Sequence, residues 1–159
     1  MHTYDYFQSP HGRMLLVADD KGLTSVSFIG QKYAPRIGAD WQRAAGHPLL
    51  RRAKRELAEY FGGKRKRFTV KLAPKGTSFQ RAVWKAIAGV GFGRTIPYAE
   101  LARRAGRPGS ARAAGAATGR NPIGVIVPCH RIVGSNGSLT GYAGGLAKKR
   151  ALLALEARG

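Results

Sequence analysis

The stretch IGVIVPCHRIVGSNG, residues 123–137, holds the only cysteine of the chain, Cys129, between Pro128 and His130. A thiol attacks as the thiolate, and an ordinary cysteine, with a pKa of about 8.5, is mostly protonated at neutral pH. A histidine that takes this proton, directly or through a water, makes it a nucleophile. Neighbouring residues on a strand point to opposite faces. Cys129 and His130 therefore cooperate only at a turn or across a bridge, although the apolar run before them reads as a buried strand. Pro128 suits a turn, because it ends ladder pairing and fixes the local backbone. The histidine in turn needs an orienting acceptor. From residue 77 onward the only acids are Glu100 and Glu156. Glu156 stands among Lys148, Lys149, Arg150 and Arg158, and it is the candidate for a Cys-His-Glu relay. A helix-surface acid paired with an arginine is the other reading of it.

A single cysteine excludes other chemistry. It cannot form an internal disulfide, and no resolving thiol exists for disulfide cycling. With it, His2, His11, His47 and His130 show no metal-ligand spacing, so no metal is expected. No GxxxxGK or GxGxxG loop cradles a phosphate, and the GFG at residues 91–93 lacks the rest of such a pattern.

The elements that must position this site are legible in outline. The chain has 159 residues, enough for one sizeable core or two small ones, and 43% of them are hydrophobic. No apolar run approaches the ~18 residues of a membrane span. The N-terminal MHTYDYFQSPHG does not read as a secretory signal, and the lone thiol fits a reducing, cytoplasmic setting. MHTYDYFQSP, RMLLVADD and LTSVSFIG read as three short strands joined by HG and DDKG turns. RIGADWQRAAGHP is loop-like. LLRRAKRELAEYFGG is a helix with Leu49, Leu50, Ala53, Leu57 and Tyr60 on one face and a Gly62-Gly63 stop. KRKRFTVKLAP is a basic stretch followed by a short strand. Its run Lys64 to Arg67 is either a phosphate-binding patch or a solvated loop.

Pro74-Lys75-Gly76 marks the expected boundary between an N-terminal α+β domain, residues 1–76, and a C-terminal domain, residues 77–159. Thr77 or Ser78 caps a helix with Phe79, Val83, Trp84 and Ile87 on one face. YAELARRAG is a short helix ended by Gly106, Arg107, Pro108 and Gly109. Ser110 caps the next, SARAAGAATGRN, and GGLAKKRALLALEARG forms the last. Two short helices around a Gly-containing turn make a helix-turn-helix pattern. Between Ser110 and Gly119 the second of them is mostly alanine, with Arg112 its one long residue. Such a helix reads few base edges, but it can approach a backbone closely in a narrow groove. A buried helix packed tightly on a neighbour explains the alanines as well.

The charge sets the class of partner. Lys plus Arg number 28 against 8 Asp plus Glu, a net charge of +20, with +9 in residues 1–76 and +11 in residues 77–159. A field of this sign, spread over both halves, attracts polyanions and favours nucleic acid.

The sequence NP-x4-VPCHRIV, followed by GSNGSLTGYAGGLAKKRALLALE, resembles the active-site region of the O6-alkylguanine-DNA alkyltransferases, the methylated-DNA–protein-cysteine methyltransferases. FQRAVWKAI, GRTIPYAELA and ARAAGAATGRNP are similar to that family in the same order. The resemblance runs from about Phe79 to Glu156, and the first half matches through its strand-strand-strand-helix order. It implies a ribonuclease H-like N-terminal domain with a three-stranded sheet and a helical, DNA-binding C-terminal domain. It implies direct reversal of DNA damage. Cys129 would accept the alkyl group from O6-alkylguanine, with O4-alkylthymine as a second substrate, in an extruded base. His130 would act as base through a water, Glu156 would orient it, and Asn121 would brace the turn. Tyr98 would press on the phosphate and rotate the nucleotide out, and Arg112 would fill its place in the stack. Arg107, Ser110, Thr118, Arg120 and Ser135 would contact DNA. Tyr142, Ala143 and Gly144 would wall the guanine pocket, with Ile132 beneath. The partner would be double-stranded DNA, bound in the minor groove without sequence preference, by a monomer that can cooperate on DNA. The thioether product has no easy reversal, so each molecule would act once and need no cofactor. Val90-Gly91-Phe92-Gly93, Pro97 and Ala143 depart from the family's common pattern.

Two other functions compete. A non-enzymatic reader of alkylated DNA keeps the helix-turn-helix and the charge but has no use for Cys129. A cysteine hydrolase needs an oxyanion hole and a cleft, and the sequence marks neither.

Overall fold

A computed structural model describes residues 1–159. Strands β1 (Thr3–Ser9), β2 (Gly12–Ala18) and β3 (Leu23–Phe28) form an antiparallel meander. Its β1–β2 turn is closed by Ser9, whose hydroxyl donates to Gly12 O at 2.6 Å and accepts from His11 N–H at 3.1 Å. A two-residue strand β4 (Gln42–Arg43) pairs parallel with β1, giving the order β3-β2-β1-β4. The sheet thus has one strand more than the three expected. The loop-like stretch supplies it because Gln42 N–H bonds His2 O (3.1 Å), Ala44 N–H bonds Tyr4 O (3.0 Å) and Arg43 Nε reaches buried Asp5 at 3.0 Å.

Helix α1 (Pro48–Phe61) lays Leu50, Ala53, Leu57 and Tyr60, all fully buried, across β1 and β2. Each buried Leu contributes about 1.5–3 kcal/mol. Its N-terminus is capped by His47, whose ring accepts from Leu49 N–H at 3.2 Å, with Pro48 in the first turn. The strand expected after Phe68 is reduced to a single bridge, Leu23 to Leu72. The cause is Glu56, a buried acid on α1 that takes the N–H groups of Thr69 (2.8 Å) and Val70 (3.2 Å) before a ladder can. Within the basic run, Arg65 is spent on Glu59 at 2.8 Å.

Helix α2 (Ser78–Ala88) is capped by Thr77, with a reciprocal bond from Thr77 N–H to the Gln80 side chain. After β5 (Ile96–Pro97), α3 (Tyr98–Arg104) and α4 (Ala111–Gly119) form the helix-turn-helix. Gly106 and Gly109 adopt φ of 89° and 86° in its turn, where a side chain would be strained. Ser110 occupies the cap position of α4 but its hydroxyl makes no cap bond, contrary to expectation. The packing reading of the alanine-rich helix holds for one face, and the other face is open to solvent. Ala114 and Ala117 are buried, while Arg112, Ala113 and Ala116 are exposed. Trp84 on α2 holds the inner face by donating its indole N–H to Ala117 O at 2.8 Å.

A 3₁₀ turn (Cys129–Arg131) leads into β6 (Ile132–Val133), parallel to β5, and α5 (Leu146–Arg158) closes the chain. One contiguous core runs through both halves. No helix is long and apolar enough to cross a membrane.

Candidate active site

The approach to the cysteine is buried, but it is not the strand its composition suggests. Val26 N–H bonds Pro122 O (2.9 Å) and Gly124 N–H bonds Val26 O (2.8 Å), which docks the segment on the free edge of β3. The backbone then turns through Val125 at φ 67°, a conformation a β-branched residue rarely takes. Asn121 holds this turn from inside. Its amide donates to Val127 O (2.9 Å) and Ile123 O (3.3 Å), and its carbonyl accepts from Ile123 N–H (3.0 Å). Strain of this kind, over-determined by its surroundings, collects at functional sites. The turn allows Cys129 and His130 to be adjacent in sequence and still serve one site.

His130 is fully buried, and its Nε2 lies 2.7 Å from Glu156 Oε2 on α5. Glu156 is buried too, which excludes the surface reading. It also accepts from Tyr60 Oη (2.5 Å), Arg131 Nε and Nη2 (2.8 and 2.9 Å) and Gly93 N–H (3.2 Å). Burial works against its charge, but the bonds from His130, Arg131 and Tyr60 prevail and hold the carboxyl well below its usual range. An ionised Glu156 fixes the imidazole proton on Nε2. Nδ1 is then an acceptor, and it is buried without a partner in the protein. Burial, outweighing the pull of Glu156, lowers the His130 pKa and keeps the ring neutral.

Cys129 borders an open cavity of about 780 Å³ together with Tyr98, Tyr142 and Ala143. Burial pushes its thiol up, opposed by the Asn121 amide and the charge of Lys149. The cavity is large enough for a nucleobase.

Two known domain families match nearly all of the chain. Residues 2–74 match "6-O-methylguanine DNA methyltransferase, ribonuclease-like domain", and residues 78–158 match "6-O-methylguanine DNA methyltransferase, DNA binding domain". The chain belongs to the 6-O-methylguanine DNA methyltransferase family. The methylated-DNA–protein-cysteine methyltransferase of Methanosarcina barkeri is 47% identical over 153 residues, covering 96% of both chains. That of Haemophilus influenzae is 40% identical over 96% of this chain and 85% of its own. The crystal structure of Mycobacterium tuberculosis OGT in complex with DNA superposes with a TM-score of 0.91 at 41% identity, covering 98% of this chain and 93% of that one.

Within this methyltransferase-family site, the remaining expected residues fall into two groups. Arg107, Arg112, Arg120 and Ser135 are exposed, Ser110 is partly so, and Tyr98 shares the cavity with Cys129. Thr118, expected as a DNA contact, lines the same cavity. It is buried and gives its hydroxyl to Ala114 O at 2.7 Å, inside its own helix. Ile132 is fully buried under the turn and does not border the cavity. Gly144 does not border it either. It lets the chain pass close to the Tyr142 ring, where a Cβ would lie 2.9 Å from that ring and 3.2 Å from Phe28.

Sequence reasoning missed three participants. Lys149 is fully buried and donates to the carbonyls of Ile132 (2.6 Å), Thr140 (2.7 Å) and Gly141 (3.4 Å), tying α5 to the loop that carries Tyr142. Its signal was present, because Lys149, Leu152 and Glu156 share one face of α5 at helical spacing. Arg131 follows the histidine directly. Tyr60 was assigned to the apolar face of α1, and the phenol at its tip carried no signal of a distant acid.

Proposed function

We propose that Cys129 takes the alkyl group from O6 of an alkylated guanine swung out of duplex DNA into the cavity. The observation that carries this reading is the chain's only thiol at the cavity, backed by a neutral His130 with a free Nδ1 and an ionised Glu156. The thiol proton passes to Nδ1 through one water. The thiolate attacks the alkyl carbon in line, the C–S bond forms, and the carbon–O6 bond breaks with its electron pair left on oxygen. The guanine anion then takes a proton from Tyr98, across the cavity, and the proton gained by His130 returns through water to the Tyr98 oxygen. The thioether ends the cycle, so the protein acts once. It repairs DNA by direct reversal, and O4-alkylthymine is a second substrate of the same chemistry.

DNA is the partner. A duplex lesion arises in any sequence, so its binding must be sequence-tolerant. The exposed alanine face of α4 supports a minor-groove approach, with Arg112 entering the stack as the nucleotide leaves. Arg107, Arg120 and Ser135 hold phosphates around it, and Ser110 supports them at the turn. Tyr142 and Ala143 wall the base pocket, and Asn121 braces the reactive turn. The protein works as a monomer in the cytoplasm, and neighbouring copies cooperate along DNA. A pure reader of lesions leaves the His130–Glu156 pair behind the thiol unexplained.

Intact mass after mixing with a duplex bearing one O6-methylguanine tests this directly. The expected result is a gain of one methyl, mapped to Cys129 and stopping at one equivalent. Tight lesion binding at unchanged mass would replace transfer by recognition alone.

A further inference from the structure

A second cavity, of about 290 Å³, lies against the outer side of β3, beneath the loop that joins β3 to β4. Ser25 and Ser27 alternate with Val26, so their side chains share the face opposite the core. They are only 7% and 2% exposed, and neither hydroxyl has a hydrogen-bond partner. Both residues line this cavity. An unpaired buried hydroxyl is costly, and a chain that carries two on one strand has a use for them. Gln31, also on the lining, accepts from Phe28 N–H through its side-chain carbonyl at 2.8 Å, which leaves its amide N–H groups to an outside acceptor.

The charged lining residues are all basic. Lys32, Lys75 and Arg120 border the cavity, and no Asp or Glu does. Lys75 also reaches Asp19 at 3.4 Å, but Asp19 itself is not on the lining. Donors without acceptors, under three cations, suit an oxyanion. Lys32, Tyr33 and Arg120 border the reaction cavity as well. The Arg120 guanidinium lies 3.8 Å from the centre of the Tyr33 ring, and this stack divides the two spaces.

We propose that this cavity is a phosphate-binding subsite, built by Ser25, Ser27 and Gln31 under Lys32, Lys75 and Arg120. The phosphate is either one of the DNA backbone, close to the extruded nucleotide, or a free phosphate. The DNA source rests on the proposed function; the phosphate chemistry does not.

The test uses the full chain and Ser25→Ala/Ser27→Ala. That variant removes two unpaired hydroxyls with little change of volume, so it folds at least as stably as the parent. Thermal midpoints are compared in inorganic phosphate and in chloride at equal ionic strength. Phosphate at a hundredfold excess over its dissociation constant raises the parent midpoint by about 5–10 °C, and the variant loses that rise. Weak phosphate binding elsewhere on so basic a chain moves both proteins equally. No rise in the parent, or the same rise in both, overturns the subsite. Affinity for an undamaged duplex as a function of salt then separates the sources. A backbone phosphate in the subsite makes the variant bind the duplex about tenfold more weakly at every salt concentration, because the hydroxyl bonds are lost while the cations stay. An unchanged affinity, with the phosphate rise lost, leaves free phosphate as the occupant and rejects the DNA source. A failure of alkyl transfer would show in the mass experiment and leave these thermal readings intact.

Discussion

Replacing Glu156 by Gln strikes the most heavily bonded side chain of the site. The carboxylate accepts five hydrogen bonds, from Tyr60, His130, Gly93 and twice from Arg131. A glutamine retains one acceptor oxygen and turns an N–H₂ toward donors. The larger loss is the charge. Arg131 is 6% exposed, its remaining acceptor is Val90 O at 2.6 Å, and its guanidinium would stay buried without a counter-ion. Removing one partner of a buried ion pair costs about 3–5 kcal/mol. Against a total stability of about 5–15 kcal/mol this is about a fifth or more, and it lowers the midpoint by about 6–20 °C at this chain length. Urea and thermal unfolding, by two probes, give the number. Glu100→Gln is the control, because its pairs with Arg103 and Arg104 lie at the surface, where solvent screens them, and it leaves the midpoint in place. The same Glu156→Gln protein transfers alkyl groups about 10²–10⁴-fold more slowly, since His130 loses both its tautomer and its orientation. Tyr60→Phe separates the two effects. It removes a single donor, leaves the ionised Glu156 on His130, and lowers stability with little change in rate. If Glu156→Gln unfolds within 1 kcal/mol of the parent, the buried network does not carry the load assigned to it.

Three further outcomes follow from the geometry. The rate of transfer to a free O6-alkylguanine base keeps its acid limb below pH 6.5, because His130 titrates below that ordinary value. Stability follows the same sign: the unfolded histidine gains its proton near pH 6.5 while the folded one stays neutral, so stability falls as pH drops through this range. Glu156, with its depressed folded pKa, adds a second loss from about pH 4.5 downward. A pH titration of both quantities checks them, and an acid limb above pH 7 contradicts a buried neutral base. Arg112→Ala slows repair of duplex more than repair of the free base, since only the duplex needs extrusion; equal slowing removes Arg112 from that role. Lys149→Met leaves the carbonyls of Ile132, Thr140 and Gly141 unpaired, at about 1–3 kcal/mol for each that stays dry, and also slows transfer by withdrawing the charge that opposes the rise of the thiol pKa. Unfolding and single-turnover rates on the same preparation measure both losses.

The chemistry was legible because it is written in rare residues. A single thiol, an adjacent histidine and only two acids, Glu100 and Glu156, leave few ways to assemble a relay in residues 77–159. The strands and helices of the first half were legible from periodicity, as in the face Leu50, Ala53, Leu57 and Tyr60. What escaped was whatever depended on side chains reaching across the fold. Glu56 consumed the amides that made Thr69 and Val70 look like a strand. The VIV run before the cysteine has every local preference of a strand. Asn121 and the edge of β3 bend it into a turn instead.

These misses share a direction, which bears on how the site is held. The N-terminal half was expected only to support the other. Yet its edge strand pairs with the segment that carries Cys129, and its Tyr60 bonds the acid that orients His130. Its loop after β3 brings Lys32 and Tyr33 to the rim of the reaction cavity. Glu156 is reached by α1, by the turn before β5 and by the reactive turn itself, so one carboxylate joins both halves at the point where the proton must move. A site of this kind does not separate positioning from stability. A buried anion with five donors is tolerable only while all of them are in place. The imidazole is therefore held in one tautomer by the same contacts that hold α5 against α1. A protein that reacts once has no need of an opening and closing catalytic core. The only motion its chemistry demands is that of the DNA base entering the cavity.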